Sequence, residues 1–255
     1  MQSPTSSAVS PQRRSASVLA FASPRNFYRL AGQLAPWFMG AAIAAGLAGL
    51  AVGLLLAPPD ARQGDVYRVM FVHVPAAWMS MLVYLAMAGW AAIGLAWHTG
   101  MSAIMARALA PTGALFTFLA LWTGALWGKP TWGTWWVWDA RLTSELILLF
   151  LYLGFMALHA SIADPRRADR AAALLAIVGV VNLPIIYFSV IWWNTLHQGA
   201  SVTLDRAPSM APAMLAAMLL MVASFWCYAI AIALRRARCI VLERHADAAW
   251  VRRAA

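Results

Sequence analysis

Charge is what this chain lacks most. Only 11% of its 255 residues are Asp, Glu, Lys or Arg, and 63% are apolar. An average soluble domain is about 25% charged and about 45–50% apolar, so a water-soluble fold is excluded at the outset. Cysteine is nearly absent. Cys227 falls in the last apolar run and Cys239 in the basic tail after it, and the two form no C-x-x-C pair. That excludes a thiol–disulfide carrier. It also excludes a C-x-x-C-H site for a covalently attached haem.

The few charges are clustered, and the gaps between clusters are long. No charge falls between Arg29 and Asp60, Arg68 and Arg107, Arg107 and Lys129, Glu145 and Asp164, Arg170 and Asp205, or Arg206 and Arg235. Each gap holds the roughly 20 apolar residues that carry a helix across about 30 Å of hydrocarbon. The expected fold is therefore an all-α bundle of six transmembrane helices in a lipid bilayer. The spans are placed near 36–57, 75–97, 108–128, 143–162, 171–192 and 210–233. Residues 1–30 read as a disordered cytoplasmic tail, 31–235 as one membrane domain and 236–255 as a second cytoplasmic tail. Arg13-Arg14 is followed by an apolar stretch too short for a signal peptide, so the first span is expected to be an uncleaved anchor.

Arginine and lysine set the orientation. Fourteen of them lie in the tails and even-numbered connections, against five (Arg62, Arg68, Lys129, Arg141, Arg206) in the odd-numbered ones. Both termini are thus expected in the cytoplasm. Five acids balance the five outer cations, so the whole net charge of +10 lies inside. A basic balance of this origin marks topology and leaves no nucleic-acid partner to expect.

The outer connections carry the unusual residues. Residues 128–145 read GKPTWGTWWVWDARLTSE, with Trp132, Trp135, Trp136 and Trp138 around Asp139 and Arg141. Pro130 and Gly133 are expected to break any helix early. A short helix capped by Thr134 would then bring positions 132, 135, 136 and 139 to one face. An interfacial aromatic belt uses Trp in the same way. Four in seven residues, with Trp78, Trp127, Trp192 and Trp193 on the same side, exceed what a belt needs. Such a slab suits a large planar ligand or a docking protein.

Two histidines flank the slab, His73 in VMFVHVPAAW and His197 in IWWNTLHQGA. Either alone reads more readily as an interfacial side chain. Together they offer two imidazoles on one face, which suits axial ligation of a haem iron. Zinc would ask for three or four ligands. His98, His159 and His245 lie at the cytoplasmic side, and none falls mid-membrane. A transmembrane b-type electron carrier is thereby excluded, and haem would sit at the outer surface in transit. Arg62, Arg68, Lys129, Arg141 and Arg206 could each meet a propionate, but local pairing with Asp65, Asp139 or Asp205 is the favoured reading for any one of them. Arg141 is the best propionate candidate because it borders the slab. Glu145, at the outer mouth of the fourth span, reads as functional or as a helix cap.

At these residues the chain resembles a known family. WGTWWVWDARLT, residues 132–143, is similar to the tryptophan-rich WWD signature of haem-handling membrane proteins. FVHVPAAW and TLHQG are similar to the two histidine sites of the haem exporter protein C (CcmC) family of cytochrome c maturation. The resemblance spans the second to sixth helices. It implies a haem-binding protein of the bacterial inner membrane that presents non-covalent b-type haem at the periplasmic surface. It implies His73 and His197 as the axial iron ligands, with Trp132, Trp135, Trp136, Trp138 and Asp139 against the macrocycle. It further implies delivery to the haem chaperone CcmE, alongside CcmD and the ABC transporter subunits CcmA and CcmB, by a protein that is not an enzyme. Two other readings stay open: a cytochrome c haem lyase, whose known WWD relatives are larger, and a permease subunit whose Trp loop only docks a soluble partner.

Overall fold

The computed structural model describes residues 23–193, 195–197 and 208–252. Its regular elements are all helices, with no strand among the described residues and six helical stretches long and apolar enough to cross a membrane. The chain is a multi-pass membrane protein, as the charge gaps indicate.

Helix α1 (Pro24–Ala51) starts at Ser23, whose hydroxyl accepts from Asn26 N, with Pro24 in the first turn where its missing N–H costs nothing. It ends in a π-helical turn, Val52–Leu56. A tight bend around Asp60 follows, and a 3₁₀ turn over Val66–Val69 leads into α2 (Met70–Trp97). Helix α3 (Gly100–Trp132) returns, and α4 (Ala140–Ser161) descends from the Trp segment. The fifth crossing is two helices, α5 (Pro165–Gly179) and α6 (Asn182–Trp192). The ladder tightens between them, where Val180 and Val181 donate to carbonyls three residues back. Helix α7 (Pro212–Arg244) closes the bundle.

The helices outrun the apolar runs that announced them. Helix α3 passes straight through Pro111 and Pro130. A proline removes one ladder hydrogen bond, and neighbouring helices in a membrane bundle tolerate that loss. Helix α7 likewise carries the basic residues Arg235, Arg236 and Arg238, because a helix does not end where hydrocarbon does.

Packing follows side-chain size. Helix α1 runs along α7 and α2 along α3. The main core is filled by Tyr84, Met87, Phe116, Leu148, Tyr152 and Phe155. Tyr84 and Tyr152 meet edge to face at 5.0 Å, and Tyr152 donates to Ser80 O across 2.8 Å. A second cluster joins Tyr67, Met70, Phe71, Met218 and Met221 under the start of α2. Large apolar side chains such as Trp37, Leu55 and Ile191 point outward, as lipid-facing residues do. Tyr28, near the start of α1, packs against Trp250 at 5.9 Å and lies under Arg238 at 4.3 Å. The described ends of the chain therefore meet at one end of the bundle, and the Trp segment lies at the other, here called the distal end.

Candidate functional site

His73 sits in the first turn of α2, where the preceding 3₁₀ turn aims it at α3. Its Nδ1 lies 3.1 Å from Thr123 Oγ1. Thr123 has one hydroxyl proton, and Leu119 O takes it at 2.5 Å. The threonine oxygen must then accept, so His73 carries its proton on Nδ1 and keeps a lone pair on Nε2. Trp127, one helical turn further along α3, meets the imidazole edge-on at 5.7 Å and 77°. Trp127 is itself held by Gln63, to which its indole N–H donates across 2.8 Å. Between Thr123 and Trp127 stands Gly124, where an added Cβ would come within 3.0 Å of the His73 ring. The glycine is what lets the imidazole lie against α3.

The Trp segment is not a helix. Helix α3 continues through Pro130 to Trp132 and stops at Gly133, whose φ of 79° is the left-handed conformation that glycine adopts without strain. The Gly133 N–H donates back to Lys129 O, which ends the helix in an αL cap. The expected break at Pro130 is thus displaced to Gly133. The expected helix from Thr134 is absent because Thr134 bonds locally, its hydroxyl donating to Trp136 O at 2.9 Å. Residues 134–139 run without regular structure, so 132, 135, 136 and 139 do not share a helical face. Asp139 is the actual N-cap of α4, accepting from Leu142 N at 2.7 Å through Oδ1.

That cap frees the second carboxylate oxygen. Asp139 Oδ2 lies 3.8 Å from His197 Nδ1. Trp132 covers the same imidazole at 5.1 Å, tilted by 56°. Burial pushes His197 down to about 4, with Arg141 adding to the effect and Asp139 opposing it. The ring is therefore neutral at pH 7, the state that can donate a lone pair to a metal. His73 lies within electrostatic range of both His197 and Arg141, so the two imidazoles share one neighbourhood.

The remaining candidates divide. Trp136 is half-buried and meets Trp138 edge-on at 5.3 Å, whereas Trp138 is 77% and Trp135 55% exposed. Trp127, Trp132 and Trp136 are thus half-buried, and Trp135 and Trp138 are open to a partner or ligand. Arg141 does not form an ion pair with Asp139. It donates to Ile186 O at 3.1 Å and ties α4 to α6. Glu145 does not cap α4. It is buried and accepts from Ser80 Oγ at 2.8 Å. Arg68 is occupied by Asp65 and by the carbonyls of Gly53 and Ala57, and Lys129 by Gly133 O. Arg206 lies outside the described residues.

Unsatisfied polar atoms gather at this end. Seven buried side-chain polar atoms lack a hydrogen-bond partner among the described residues, and four belong here: Trp136 Nε1, Asp139 Oδ2, Thr195 Oγ1 and His197 Nδ1. Such atoms are costly in a finished interior, and their concentration fits a site that closes on a ligand. No group of three or more His, Cys, Asp or Glu gathers among the described residues, so the donor set fits two axial positions on a macrocyclic metal better than a protein-only metal cage. Thr123, Gly124 and Gln63 escaped the sequence reading. The signal for the first two was a polar and a small residue side by side in an apolar run, one turn before Trp127.

Comparison with known proteins shows the family. The family model described as Heme exporter protein C matches residues 17–252. The Heme exporter protein C of Haemophilus influenzae is 48% identical over 232 residues, covering 91% of this chain and 94% of that protein. Those of Escherichia coli K12 and Paracoccus denitrificans are 46% and 39% identical, covering 90% and 92% of this chain and 93% and 98% of their own lengths. The chain therefore belongs to the Heme exporter protein C family.

Proposed function

We propose that the protein binds b-type haem non-covalently at the distal end of the bundle and delivers it to a haem chaperone for cytochrome c maturation. The observation that carries this reading is that two differently buttressed imidazoles each lie against a tryptophan at the distal end of the bundle. His73 is held in one tautomer by Thr123. His197 is kept neutral by burial and is backed by Asp139 and Trp132. A histidine that ligates a metal is regularly oriented by a hydrogen-bond acceptor on its other nitrogen; His73 has Thr123 in that place, and His197 has the Asp139 carboxylate 3.8 Å away. His73 and His197 would supply the axial bonds, and the Trp132–Trp138 segment the wall against the macrocycle. Arg141 is near enough to serve a propionate with the guanidinium nitrogens not engaged by Ile186.

The charge asymmetry supports this end facing away from the cytoplasm, and the bacterial relatives support an inner-membrane location, which makes that side the periplasm. The family supports CcmE as the receiving chaperone, with CcmD, CcmA and CcmB as neighbours. The exposed Trp135 and Trp138 supply a surface on which the chaperone docks beside the haem that it receives. The protein acts as a carrier and not an enzyme: the site holds a ligand between two bases, and the reading asks for no bond to be made on it.

The test is spectroscopic. The detergent-purified chain loaded with haem should show a six-coordinate low-spin spectrum, and His73→Ala with His197→Ala should abolish it. A low-spin spectrum that survives in the double variant overturns the ligand assignment. Covalent attachment of haem to a C-x-x-C-H apocytochrome by this chain alone would overturn the carrier reading.

A further inference from the structure

The end of the bundle where the termini meet holds a second imidazole in nearly the surroundings of His197. His159, in the last turn of α4, has Nδ1 3.8 Å from Asp169 Oδ1. Its ring lies 5.0 Å from Phe155, tilted by 55°. For His197 the corresponding values are 3.8 Å to Asp139 and 5.1 Å and 56° to Trp132. Asp169 is itself gripped by both arms of Arg244, at 2.6 and 2.8 Å. That fork fixes the carboxylate beside the imidazole.

His159 also borders a cavity of about 340 Å³, open on one side, between α3, α4 and α7. Phe155, Met156 and Ile240 give it apolar walls, and two guanidiniums, Arg107 and Arg236, stand in its lining. Arg107 is paired with Glu243 at 3.2 Å. Arg236 donates to Thr112 Oγ1 at 2.6 Å and has no carboxylate within ion-pair distance among the described residues. A guanidinium at the wall of a cavity, with no carboxylate of its own, is suited to a carboxylate brought by a ligand. The cavity thus presents one imidazole backed by a carboxylate, apolar walls and one guanidinium without a carboxylate partner among the described residues. Those features match iron, a flat macrocycle and a carboxylate edge.

We infer that this cavity is a second haem-docking site, with His159 Nε2 as the single axial ligand and Arg236 facing a propionate. The inference rests on the haem-carrier reading and deepens it, by placing a loading site at the end of the bundle opposite the delivery site. The enclosed space takes one edge of the macrocycle, and the open side leaves the rest at the bundle surface.

The experiment uses the full chain in lipid nanodiscs with His73→Ala and His197→Ala, so that the distal ligands are gone. Titration with ferric haem should give a five-coordinate high-spin spectrum. His159→Ala added to that background should abolish it, and free imidazole should restore it. Arg236→Gln should weaken haem binding about tenfold but leave haem dimethyl ester binding unchanged, since the ester has no carboxylate to pair. His159→Ala in the otherwise unaltered chain should keep the low-spin distal spectrum, which shows that it folds. A titration that is the same with and without His159, or that shows no specific spectrum, overturns the inference. Loss of the low-spin spectrum from the unaltered chain would instead overturn the carrier reading.

Discussion

His73 donates from Nδ1 to Thr123 Oγ1 across 3.1 Å, and Thr123 spends its own proton on Leu119 O within its helix. One helix thus decides which nitrogen of a histidine on its neighbour faces the site. Thr123→Val keeps the shape of the side chain and removes the acceptor. Haem affinity, read by titration on the Soret band, should fall about 10–100-fold, as for other losses of a metal ligand's supporting partner. An unchanged titration would show that the tautomer is set elsewhere.

Asp139 does two things with two oxygens, capping α4 through Oδ1 and facing His197 through Oδ2. The roles separate by substitution. Asp139→Asn keeps a good cap and should leave thermal stability within measurement, while haem binding weakens. Asp139→Ala should weaken haem binding and also cost about 1 kcal/mol of stability through the lost cap. Equal melting losses in both variants would contradict this division.

Gly124 holds space for the His73 ring. Gly124→Ala should broaden or shift the low-spin spectrum, because a Cβ there stands 3.0 Å from the imidazole. Gly124→Val, with two further methyl carbons, should abolish the spectrum. Gly40 is the control, since nothing lies within 4 Å of its added Cβ, and Gly40→Ala should leave the spectrum unchanged.

Arg141 combines a structural tie to Ile186 O with a position beside the site. Arg141→Gln should lower affinity for haem about tenfold but not affinity for haem dimethyl ester, if a propionate is its second partner. An equal loss for both ligands would assign Arg141 to the α4–α6 junction alone.

The six crossings were legible in the sequence because burial in hydrocarbon imposes a length and an absence of charge that composition records directly. Helix ends were less legible. Pro130 reads as a breaker, yet α3 passes it, since a membrane helix loses one hydrogen bond there and keeps its packing. The fifth crossing reads as one run, and the tightening at Val180 and Val181 appears only in the backbone. Thr134 and Asp139 are both good caps by type. Thr134 bonds to Trp136 locally, and Asp139 takes the cap.

By itself the sequence determined that the chain lives in a bilayer, that its cations favour one side, and that tryptophans and two histidines gather on the other. Those are properties of composition and of position along the chain. The tertiary structure decided what each polar atom does. It gave His73 its tautomer through Thr123, set Asp139 behind His197, and turned Arg141 toward Ile186 and Glu145 toward Ser80. Each of these contacts joins residues on different helices or on the segments beside them. Only helix packing brings such partners within hydrogen-bonding or electrostatic range, and no local spacing encodes it.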